Sequence, residues 1–92
     1  MNISINLTYK DINIISMSLY DNAIIGHLNK NEYNLVWNIL ERIYESTSLS
    51  KSDLNFICDS LLRYAIKYDY ELIEARECKR VYNIIVEAYT NE

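Results

Sequence analysis

Apolar residues recur at intervals of three and four along most of the chain. Ile12, Ile15, Leu19 and Ala23 form one such stripe, and Leu54, Ile57, Leu61, Ala65 and Tyr68 form a second. Val36, Leu40 and Ile43, flanked by Trp37 and Tyr44, make a third; Val81, Ile85 and Ala88, flanked by Tyr82 and Tyr89, make a fourth. One face of an α-helix returns about every 3.6 residues, so this spacing predicts helices and not strands. They are placed at 9–26, 31–46, 51–68 and 71–90. Residues 2–7 differ: Ile3, Ile5 and Leu7 alternate with Asn2, Ser4 and Asn6, which is strand spacing. A lone strand is not stable. This arm is expected to lie on the helices, or to pair with the same segment of a second chain.

The predicted ends carry capping chemistry. Thr8-x-x-Asp11 and Ser50-x-x-Asp53 each put a hydroxyl at an N-cap and a carboxylate at the third helical position. Gly26 is expected to stop the first helix in a left-handed conformation. Residues 46–50 read as the connector between two hairpins.

The stripes also repeat. Residues 8–19 lie over residues 50–61, matching Asp11 to Asp53, Asn13 to Asn55, Ile15 to Ile57 and Ser18-Leu19 to Ser60-Leu61 at an offset of 42. Beyond the loop the offset becomes 45, with Glu32, Val36, Asn38, Ile39 and Tyr44 falling on Glu77, Val81, Asn83, Ile84 and Tyr89. The length difference falls between Ile25 and Glu32, where a loop is expected. The favoured reading is an internal duplication. Repeat 1 spans about 8–46 and repeat 2 about 50–92 of one 92-residue domain. Short loops make consecutive helices antiparallel neighbours. The expected fold is therefore all-α: a small antiparallel four-helix bundle of two tandem hairpins, with a short N-terminal extended arm.

Composition narrows the function classes. Half the residues are apolar and 24% charged, enough apolar surface to fold. The net charge of −4 argues against direct nucleic-acid binding and against an anionic membrane surface. No apolar run nears the ~20 residues that span a bilayer, and residues 1–10 lack a signal-peptide pattern. A cytoplasmic protein is expected, with Cys58 and Cys78 as reduced apolar fillers although a hairpin puts them at one level. The skew towards Ile, Asn, Tyr and Lys points to a low-GC genome.

Catalytic chemistry is sparse. The single His27 has no partner for a metal pair or a nucleophile–base dyad, and the single Gly leaves no phosphate-binding loop. No cofactor and no metal site are expected, and the chain is not expected to be an enzyme. Three groups point to binding. Tyr64, Tyr68 and Tyr70, expected exposed at the turn between the last two helices, and Trp37 are candidate partner-binding residues, because Tyr and Trp dominate interface energetics. Arg63, Lys67, Arg76, Lys79 and Arg80 form a basic cluster on the second hairpin that would converge on an anion such as a nucleotide. Asp11, Asp21, Glu32, Glu41 and Glu45 on the first hairpin, with Asp53 and Asp59 on the second, make an acidic surface suited to a basic groove.

In size, composition and lack of catalytic motifs, the whole chain resembles the small helical proteins of phages and mobile elements of low-GC bacteria. That resemblance implies a protein that binds and inhibits a host protein, such as a defence system. The alternatives are a structural or regulatory homo-oligomer that buries Ile14, Met17, Ile24 and Ile25, and a bundle that sequesters a nucleotide-like anion.

Overall fold

The computed structural model describes residues 2–45, 48–68 and 72–91. Four helices pack against one another: α1 (Tyr9–Ile25), α2 (Lys30–Ile43), α3 (Lys51–Lys67) and α4 (Ile73–Thr90). Two short strands, β1 (Asn2–Ser4) and β2 (Ser48–Ser50), pair antiparallel with Ile3 opposite Leu49. No helix among the described residues is long and apolar enough to cross a membrane.

Both expected capping boxes form. The Thr8 Oγ1 accepts from the Asp11 N–H at 3.1 Å while the Asp11 carboxylate accepts from the Thr8 N–H at 3.1 Å. Ser50 and Asp53 repeat the arrangement at 3.1 and 3.2 Å. A third box, Asn29 with Glu32, opens α2 one residue before the predicted start. Among the described residues helix α4 has no side-chain cap, and Leu72 supplies a backbone carbonyl to the Arg76 N–H.

Gly26 does end α1, but not in the left-handed region. Its φ of −73° and ψ of 154° are extended values open to any residue. Glycine is required there by space: a Cβ would come within 2.3 Å of the Asn22 carbonyl oxygen.

The arm finds its partner inside the chain. β1 lies along β2, the segment that joins the two hairpins. Ile5 and Leu7 then continue from β1 into the core, with Asn6 between them facing out. The connector was expected to be plain loop over 46–50; its last three residues are strand, and residues 46–47 lie outside the described residues.

The core is built from matched positions of the two hairpins. Ile15 and Ile57, Leu19 and Leu61, and Val36 and Val81 are all fully buried. Ser18 and Ser60 are buried as well. α1 and α3, the first helices of the two hairpins, lie against each other, and α4 packs on both. Further along the second helices the match slips by one residue: Ile39 is buried where Ile84 is only partly so, and Ile85 is buried where Leu40 is partly so.

Candidate functional site

Two surfaces bring chemistry together. The first lies on α1 and α2. Trp37 on α2 packs edge-on against Tyr20 of α1, with ring centroids 5.3 Å apart at 77°, and against Tyr33 at 5.8 Å and 73°. Tyr33 and Trp37 are one helical turn apart, so they share a side of α2, and Glu41 follows one turn further on. Tyr20 and Tyr33 are 45% and 44% exposed. Trp37, predicted as a partner-binding residue, is thus partly buried as the centre of an aromatic patch. Glu41, near the end of α2, and Glu45, just past it, are exposed.

The second surface is a cleft of about 360 Å³ between the C-terminal halves of α1 and α3. It is lined by residues 42 apart in sequence: Ser18 with Ser60, Asp21 with Arg63, Asn22 with Tyr64, and Ile25 with Lys67. The two helices therefore run side by side in the same direction, and the cleft lies where the hairpins face each other at matched positions. Gly26 and His27, just past α1, complete the rim. The Asn22 amide donates to the Ser60 hydroxyl at 3.1 Å across the floor. Lys67 Nζ and the Tyr68 hydroxyl both donate to the Asp21 carboxylate, each at 3.0 Å. Arg63 is exposed and has no partner among the described residues.

Several predicted site residues change standing. Tyr64 was expected to be exposed. It is 9% exposed, with its ring 4.5 Å from that of Tyr68. The reason is periodicity: Tyr64 lies two turns beyond Ile57 and so falls on the buried stripe. Burial, then the neighbouring Tyr68, pushes its phenol above the usual range. Tyr68 is half-buried, tied to Asp21. Tyr70 lies outside the described residues.

The five predicted cations do not converge. Arg63 and Lys67 reach the cleft. Lys79 lies over the Tyr82 ring, 4.6 Å from its centroid. Arg80 is at the opposite end of α1, where Nη2 sits 2.7 Å from the Asp11 carboxylate and Nε donates to Glu77. Nη2 is buried and makes no aligned hydrogen bond among the described residues, so its contact with Asp11 is one of charge. Arg76 is exposed in the first turn of α4. The cause is that α4 packs on α1 as well as on α3, which turns Arg80 towards the N-terminus of α1.

The matching acid in the second hairpin is held the same way. Arg42, at the end of α2, donates through both terminal nitrogens to the two oxygens of Asp53 at 3.1 Å each. Burial acts on Asp11 and Asp53 to raise their pKa values. Hydrogen bonds from Thr8 and the adjacent Arg80 guanidinium outweigh it on Asp11, hydrogen bonds from Arg42 and Ser50 outweigh it on Asp53, and both carboxyls end below the usual 3.8. Sequence spacing showed the caps but not these arginines, since Arg80 is 69 residues from Asp11.

The tyrosines that close the second helices also return to their own hairpin. Tyr44 donates to the Asn13 side chain at 2.9 Å and accepts from the Ser16 hydroxyl at 3.1 Å. Its counterpart Tyr89 donates instead to the Lys51 carbonyl at 3.1 Å. Asn55 and Cys58, which correspond to Asn13 and Ser16, are left lining an open groove with Tyr82.

Both thiols are free. Burial pushes Cys58 up to about 11, with Asp59 adding to it, and Cys78 up to about 12. A thiol so held stays protonated at neutral pH and is a poor nucleophile. Among the described residues no group of three or more His, Cys, Asp and Glu side chains could hold a metal ion. Comparison with protein-family models, curated proteins and solved structures gives no match for this chain.

Proposed function

We propose that this chain is a small, non-enzymatic, cytoplasmic binding protein that docks on another protein and blocks it. The observation that carries the reading is the Tyr20–Trp37–Tyr33 patch. Tyr and Trp give large contact area at low entropic cost, and such residues supply most of the energy at protein interfaces. Here two of the three rings are nearly half exposed, and packing against Trp37 holds all three in place. A preorganised patch loses little freedom on binding. Glu41 continues the stripe and Glu45 follows it, so the partner is expected to offer an apolar pocket with a basic rim. Inhibition would follow if that rim is where the partner meets its own acidic ligand. This role suits the phage and mobile-element proteins that the chain resembles, with a host protein as the target. The protonated thiols fit a role without nucleophilic chemistry.

The test is capture from a low-GC bacterial lysate with the chain as bait, in parallel with Tyr33→Ser and Glu41→Lys. Both positions are exposed, so both variants should keep the wild-type circular dichroism spectrum. The wild type should retain a stoichiometric partner. Tyr33→Ser should weaken it about 30-fold, the size of a hot-spot loss. Glu41→Lys should weaken it mainly at low salt, where charges are least screened. Capture that ignores both substitutions, or no stoichiometric partner at all, contradicts the proposal.

A further inference from the structure

We infer that the cleft between α1 and α3 is a binding site for a small ligand bearing an oxyanion, phosphate or carboxylate, with Arg63 as the anchoring residue. Three observations support this independently of the aromatic patch. The cleft inverts the sign of the molecule: two cations, Arg63 and Lys67, face it against one carboxylate, Asp21, in a chain of net charge −4. Asp21 is engaged by Lys67 and Tyr68, which leaves the Arg63 guanidinium as the donor with no partner among the described residues. A planar guanidinium presents paired N–H groups that match phosphate and carboxylate geometry.

The second observation is divergence between the hairpins. Floor positions keep their character: Ser18 and Ser60 are both buried serines. Rim positions do not. Asp21 is answered by Arg63 and Ile25 by Lys67. Equivalent backbone positions therefore present opposite chemistry across one cleft, which orients a single asymmetric ligand. The third is size: about 360 Å³ falls within the range of small-molecule sites. The negative ends of the α1 and α3 dipoles oppose an anion at this end of the bundle. That effect fades beyond the last turn, whereas Arg63 extends from α3.

The experiment is a backbone-amide NMR titration of the whole chain with two probes, inorganic phosphate and acetate. Saturable shifts confined to Gly26, His27 and residues 60–67 are expected from at least one probe. The tighter probe identifies the oxyanion as phosphoryl or carboxylate. Arg63→Gln should weaken that binding at least ten-fold, and Lys79→Gln, whose cation lies over Tyr82, should leave it unchanged. The inference fails if shifts grow without saturation. It also fails if they spread equally to Lys30 and Lys79, or if they survive Arg63→Gln at the wild-type concentration.

Discussion

Asn22 shows how a polar side chain can hold a core position. It is buried, its side-chain amide donates to the Ser60 hydroxyl across the two hairpins, and its backbone carbonyl accepts from the Gly26 N–H at 2.9 Å. Replacing it by Ala would leave the buried Ser60 hydroxyl short of a donor, at a cost of about 1–3 kcal/mol. Asn22→Ala should therefore lower the urea midpoint clearly, while Arg63→Ala, on an exposed rim, should barely move it. Equal midpoints for the two variants would remove Asn22 from the core. The apolar stripe Ile12, Ile15, Leu19 and Ala23 passes over Asn22, whose polar side chain gives no signal of burial. Its position, one turn past Leu19, marked the inward face; its side-chain type concealed it. Tyr64 is concealed differently: its place near the turn between α3 and α4 points to exposure, but its ring lies on the buried stripe.

At the scale of elements, the N-termini of α1 and α3 share one device. A hydroxyl caps the helix, an aspartate returns the bond, and an arginine from another helix neutralises the aspartate. Both native carboxyls titrate below 3.8, while an unfolded Asp titrates near that value. The stability they contribute is therefore complete above about pH 4 and is lost as pH falls through the lowered native values. Thermal unfolding followed from pH 6 to pH 2 should show a steep acid limb in the wild type. Asp11→Asn/Asp53→Asn should have a lower melting point at pH 6 and a shallower acid limb. Parallel acid limbs would mean that other carboxylates control acid unfolding. The caps were legible because they are local, three residues apart. The arginines were not, because helix packing chooses them. The arm was legible as a strand by its alternation, yet its partner β2 is three residues long, too short to show a period.

At the scale of the molecule, the helices, their order and most of the core follow from apolar spacing, whereas function does not. The hairpins share their first helices closely and then separate. Ile39 and Ile84, or Leu40 and Ile85, differ in burial because the second helices are rotated by about one residue relative to each other. Ile14 and Met17, expected on an exposed face, pack partly against the core, while Ile24 and Ile25 are 74% and 56% exposed. The two proposed binding surfaces lie where the halves differ: Tyr33 stands opposite buried Cys78, and Asp21 opposite Arg63. The first helices of the two hairpins thus carry equivalent core positions beneath unequal surfaces. The most direct test of that equivalence is the pair Leu19→Ala and Leu61→Ala, each read as the shift in denaturation midpoint. Both leucines are fully buried at matched positions, and truncating such a residue costs about 2–5 kcal/mol. The account predicts large and similar losses from the two variants. One critical leucine with a neutral counterpart would contradict it.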